Sequence, residues 1–146
     1  SFNDASMEEW KPPGAKYFLQ DLKNQNLVGV DEPKRPTLRY MGALVADTHN
    51  IILNGGIFGY PATKKAPHGK LRLLYEAIPM SFIIEEAGGR STNGRQRILD
   101  VEVPEIHART PLFLGSVDQI TALEKYVGFY PQTQAPTDTI GIVDEK

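Results

Sequence analysis

The stretch from Lys70 to Ala87 most constrains how this chain folds. Leu71, Leu73, Leu74, Ala77, Ile78, Met80, Phe82, Ile83 and Ile84 make it apolar on more than one face. The pattern predicts a helix covered on several sides. Pro79 inside it predicts a kink, and Gly88-Gly89 a C-terminal stop. Short strands are expected at Ile57 to Tyr60, after the Gly55-Gly56 turn, and at Leu112 to Leu114, closed by Gly115. Helical spacing recurs from the Pro12-Pro13-Gly14 punctuation to Asn26, from Thr37 to Asn50, and from Asp118 to Val127 with Ser116 as N-cap. Residues 1–10 read as a loop or short edge strand, Arg90 to Gly94 as a strand or turn, and 95–111 as irregular. Val28 to Pro36 and residues 61–69 read as loops. Helices and short strands interleave, which is the α/β class.

A length of 146 residues allows one domain with a single core, and 40% hydrophobic with 23% charged residues is ordinary for a globular protein. No window approaches the apolar length of a membrane span. The first residues, SFNDASMEEW, lack the pattern of a signal peptide and an initiator Met, so a fragment or processed chain is expected. The absence of cysteine excludes disulfides, thiolate nucleophiles and Cys-ligated zinc, and is compatible with a cytoplasmic location. A net charge of −2 argues against general nucleic-acid binding.

Against that acidic balance, Tyr60 to Glu76 is locally basic. It holds Lys64, Lys65, Lys70, Arg72, Tyr60, Tyr75 and the late carboxylate Glu76. Cations and tyrosine hydroxyls on a turn suit a phosphate-bearing ligand, and Lys70 is expected at a helix start, where free N–H groups also favour an anion. Gly59, Pro67 and Gly69 would let the backbone turn tightly. The competing reading is a solvated basic loop, and no Walker-type glycine loop is present. Arg72 and Glu76, four apart on the predicted helix, form either an intrahelical ion pair of about 0.3–0.5 kcal/mol or a divided pair, with Arg72 toward phosphate and Glu76 toward a divalent metal. Arg39-Tyr40 offers phosphate donors, or is a surface Arg beside a half-buried Tyr. His49, His68 and His107 lack metal-ligand spacing, and Ser6, Ser81, Ser91 and Ser116 lack a nucleophile-elbow context. Glu85-Glu86 is expected as the solvated last turn of a helix.

With these residues in place, the chain resembles the C-terminal half of fructose-1,6-bisphosphatase over roughly residues 36–127. The likeness rests on RYMGALVAD (39–47), GGIFGYPATKKAPHGKLRLLYE (55–76), PMSFIIEEAGG (79–89) and LFLGS (112–116), with a weaker match at Phe2-Asn3-Asp4. It implies a layered α-β-α domain with a mixed central sheet over residues 1–128, and a tail extension over 129–146. It also implies that Asn3, Tyr40 and Tyr60 hold the 6-phosphate of a sugar bisphosphate, that Asp4 lies in the substrate-contacting stretch, and that Arg39 reaches the active site of a neighbouring subunit. Lys70 would lie against sugar and phosphate, with Gly42, Leu44 and Leu71 lining the sugar and Arg72 on the 1-phosphate side. Glu76 would be the single ligand this half gives to the catalytic metals, Mg or in its place Mn or Zn. The implied reaction is two-metal hydrolysis of the 1-phosphate in gluconeogenesis, by a cytoplasmic homotetramer.

Ser6 stands where that family typically has a Tyr on the phosphate, which puts that contact in doubt, and Ala43 where a Ser is frequent. The family's other metal carboxylates, in an Asp-Pro-x-Asp-Gly stretch, and its AMP site belong to an N-terminal half, and this chain contains no such stretch. It is therefore expected to need that half for any hydrolysis. Ile140, Ile142 and Val143 in the tail could add a strand to a partner. Competing expectations are sedoheptulose-1,7-bisphosphatase, a non-catalytic sugar-phosphate-binding module and a purely structural subunit.

Overall fold

A computed structural model describes residues 1–11, 13–27 and 36–129. In chain order these form β1 (Trp10–Lys11), α1 (Pro13–Asn24), α2 (Leu44–Asn54), β2 (Ile57–Tyr60), β3 (Ala62–Thr63), β4 (Leu71–Arg72), α3 (Ile78–Glu86), β5 (Arg90–Thr92), β6 (Arg109–Thr110), β7 (Leu112–Gly115) and α4 (Val117–Phe129). Short 3-10 turns span Asp4–Glu9 and Ile98–Asp100, and a π-helical turn spans Leu73–Ala77.

The central sheet has the order β2-β7-β5, with Phe58 and Ser91 both opposite Leu114 in antiparallel register. Strand period two divides its side chains between two cores. Ile57 and Phe113 pack with Phe18, Leu19, Ile120 and Leu123 of α1 and α4. Phe58, Leu112 and Leu114 pack with Ile51 of α2, Leu73 and Ala77 of the π turn, and Ile84 of α3. The expected α-β-α layering is thus present, with α1 and α4 on one face and α2 and α3 on the other. A parallel bridge from Phe2 to Gly59 adds the non-antiparallel edge. That bridge explains Gly59, whose role is close approach rather than the tight turn expected of it. A Cβ there would collide with the Phe2 ring, which is fully buried.

Several boundaries differ from the expectations. Residues 1–10 contain a 3-10 turn, and Trp10 pairs with Thr63 of β3, inside the loop expected at 61–69. Helix α2 begins at Leu44, not Thr37, and runs to Asn54. Gly42 at φ +74° and the extended N-cap Ala43 hold the preceding backbone out of the helix. The stretch from Lys70 to Ala87 is not one helix. Leu71 and Arg72 pair with Thr110 and Arg109, and the widened π turn follows, with Ile78 N–H bonded to the Leu73 carbonyl. Pro79 lies where the π turn passes directly into α3, with Ala77 still at helical φ/ψ, so the expected irregularity at Pro79 coincides with the change from π to α winding.

The region 95–111 holds β6 as well as irregular chain. Glu85 is not a solvated helix end: it accepts from the Ser91 hydroxyl at 2.7 Å and from Arg97 Nε at 2.8 Å. Ser116 begins α4 as expected, its carbonyl accepting from Ile120 N–H, while its hydroxyl accepts from Gly56 N–H at 3.0 Å and ties α4 to the start of β2. Pro12, most of the expected loop from Val28, and the tail with Ile140, Ile142 and Val143 lie outside the described residues.

Candidate functional site

The end of β2, the loop before α2 and the β4–α3 junction enclose a cleft of about 420 Å³. Tyr40, Gly42, Leu44, Tyr60, Lys70, Leu71, Arg72 and Glu76 all line it, so most of the residues singled out in the sequence converge. Asn3 lines an adjoining cleft of about 570 Å³ with Lys65 and His68, and the two clefts share Tyr60, Lys70 and Arg109. Asp4 and Arg39 line neither. The Asp4 carboxylate is 2.6 Å from Lys23 Nζ, and that hydrogen bond holds its carboxyl below the usual range. Arg39 is exposed.

Each cleft residue is placed by local structure. Tyr60 is the last residue of β2 and stacks at an angle beside Phe58. Lys70 precedes strand β4, not a helix, so no helix N-terminus assists it. Its carbonyl accepts from Arg109 Nη1 at 2.5 Å. Partial burial raises the Tyr40 phenol above its ordinary value, with smaller contributions from Tyr60 and Asp47. The phenol stays protonated at neutral pH and can donate to an anion.

Of the two readings of Arg72 and Glu76, the intrahelical guanidinium–carboxylate pair is absent. Glu76 Oε2 accepts from the backbone N–H of Arg72 at 2.6 Å, capping the π turn from within. The Arg72 guanidinium instead donates from Nη1 to the His107 carbonyl at 3.0 Å. His107 Nδ1 also meets the Tyr75 hydroxyl at 3.1 Å. The Ser6 hydroxyl is occupied by the fold, donating to the Asn3 carbonyl at 2.9 Å and accepting from Trp10 Nε1 at 3.1 Å.

Asp47 and Arg109 complete the cleft and were not distinguished by sequence reasoning. Asp47 sits inside a helical pattern that gives no sign of its burial, and Arg109 in a stretch without periodicity. Among the described residues no group of three or more His, Cys, Asp or Glu is arranged to hold a metal. Both Asp47 oxygens are taken by the loop before α2. Glu76 Oε1 has no partner among the described residues, so the donor set fits one protein oxygen toward a hard divalent cation, with the remaining ligands supplied by other groups.

Comparison with known proteins gives a consistent result. The family described as "Fructose-1-6-bisphosphatase, C-terminal domain" matches residues 1–128. The chain is 48% identical over 128 residues to the chloroplastic fructose-1,6-bisphosphatase of Spinacia oleracea, covering 87% of this chain and 29% of that protein. It is 49% identical over 127 residues to the class 1 enzyme of Chlorobaculum tepidum, covering 86% of this chain and 37% of that protein. The crystal structure of Leishmania major fructose-1,6-bisphosphatase in holo form superposes with a TM-score of 0.76 at 35% identity, over 86% of this chain and 37% of that one. The chain thus spans about a third of the length of these relatives. Relatives at this level are named for both chloroplast and cytosol.

Proposed function

The chain belongs to the family of fructose-1,6-bisphosphatase C-terminal domains, and we propose that it is the sugar-phosphate-binding half of such an enzyme, which releases the 1-phosphate of fructose 1,6-bisphosphate. One observation carries this reading: two tyrosines, Lys70, Arg72 and a carboxylate with one open oxygen line a single cleft. Tyr40 and Tyr60 hydroxyls donate to the 6-phosphate, with Asn3 approaching from the adjoining cleft. Lys70 supplies charge between sugar and phosphate. Arg72, tethered by Nη1 to the His107 carbonyl, turns its remaining N–H groups to the 1-phosphate side.

Glu76 Oε1 is the ligand this half gives to Mg, Mn or Zn. Bound divalent metal supplies water activation and charge neutralisation at the leaving oxygen. One open carboxylate oxygen is too few for such an ion, so the remaining ligands come from an N-terminal half and from the substrate. Exposed Leu38, Met41, Val45, Leu53, Phe82 and Ile83 support a partner surface of that kind. Arg39, exposed and outside its own cleft, supports the reading that it serves a neighbouring subunit in a homo-oligomer.

The test is complementation. This chain alone releases no phosphate from fructose 1,6-bisphosphate, and addition of the N-terminal half produces Mg²⁺-dependent release. Hydrolysis by the chain alone would contradict the proposal.

A further inference from the structure

The proposed chemistry leaves two charged cleft residues unused, Arg109 and Asp47, and of these Asp47 is buried. It is 1% exposed, and none of the Lys or Arg ion pairs among the described residues includes it. The Ser1 α-ammonium acts on it electrostatically without forming a close ion pair, so the buried charge depends on the N–H and O–H groups that solvate it. Here Oδ1 accepts from Met41 N–H at 3.2 Å and from the Ser1 hydroxyl, and Oδ2 accepts from Ala43 N–H at 3.3 Å. The two amides flank Gly42, whose φ of +74° curls the backbone so that both point at the same carboxylate. Among the described residues, the other hydrogen bond made by this loop also goes to Asp47, whose N–H donates to the Ala43 carbonyl at 2.9 Å. Met41 is 52% exposed, and the stretch before α2 has no strand or helix of its own. Tyr40 is the residue immediately before the curl and lines the cleft.

We propose that Asp47 is the positioning residue of this loop: its buried carboxylate fixes the Gly42 curl and thereby aims Tyr40 at the sugar phosphate. Neither Asp47 oxygen is free for ligand, so its effect runs through Tyr40 rather than through contact with substrate. This inference rests on the cleft being the sugar-phosphate site. Asp47→Asn tests it closely, because the amide keeps one acceptor and turns an NH₂ toward the other backbone N–H.

In the full-length enzyme, D47N should raise KM for fructose 1,6-bisphosphate about tenfold, change kcat less than about threefold, and leave the Mg²⁺ half-saturation unaltered. In a Tyr40→Phe background the same change should raise KM no more than about twofold, because the two residues act as one unit. An unchanged KM, or an equal effect in both backgrounds, would overturn the proposal. Amide hydrogen exchange provides a second arm that needs no catalysis. Met41 and Ala43 amides should be protected in the wild-type protein and lose protection in D47N. Unprotected wild-type amides overturn the positioning role even if D47N fails to fold. Protected amides in an enzyme that does not turn over a sugar bisphosphate would instead overturn only the substrate assignment.

Discussion

Glu76 and Asp47 occupy the same cleft and face opposite demands. Glu76 spends one oxygen on the Arg72 amide and keeps the other open, whereas both Asp47 oxygens are spent on the Met41–Ala43 loop. The same side-chain chemistry thus gives one carboxylate with an oxygen left open and one fully held by N–H and O–H groups, and what separates them is the number of backbone N–H groups within reach. The cations show a similar division. Lys70, Arg72 and Arg109 all line the cleft, and each arginine donates one Nη1 to a backbone carbonyl, Arg72 to His107 and Arg109 to Lys70. Arg39 stands apart from all of these. If it serves a neighbouring site, Arg39→Ala in the assembled enzyme raises KM for the bisphosphate with little change in kcat, as loss of uniform binding does. Steady-state kinetics at saturating Mg²⁺ measures this, and an unaltered KM would place Arg39 outside any phosphate site.

The elements explain why these residues meet. β2 is held on one edge by β7 and on the other by the Phe2 bridge, which brings Tyr60 to the cleft. Gly59 permits that bridge, so Gly59→Ala should destabilise the fold by about 1–3 kcal/mol through overpacking against the Phe2 ring. Chemical denaturation reads this as a lower midpoint at unchanged slope, and an unaffected midpoint would mean that Phe2 can move aside. β2, β7 and the end of α3 were legible in the sequence because glycines bracket them and their apolar runs are short. The β4–α3 junction was not. Leu71, Leu73, Leu74 and Ala77 are equally compatible with a strand, a π turn or a helix, and pairing with the distant Arg109-Thr110 segment decides among them. Within the site, tyrosines and cations were readable as residue types. The duty of Asp47 was not, because burial of an acid depends on amides gathered by a turn rather than on spacing along α2.

At the scale of the whole molecule, the chain is a packed pair of cores around a central sheet, with a cleft of tyrosines, cations and carboxylates at its edge. It spans about a third of the length of its relatives, exposes large apolar side chains on α2 and α3, and leaves one Glu76 oxygen without a partner among the described residues. These features fit the proposed division of substrate grip to this half and most of the metal ligation to the other. The most direct measurement is a Mg²⁺ titration of phosphate release by the assembled enzyme carrying Glu76→Gln. The expected result is a rightward shift in Mg²⁺ half-saturation of about tenfold or more, with KM for the bisphosphate moving far less. An unchanged Mg²⁺ response would show that Glu76 serves only the Arg72 amide and would contradict the divided site.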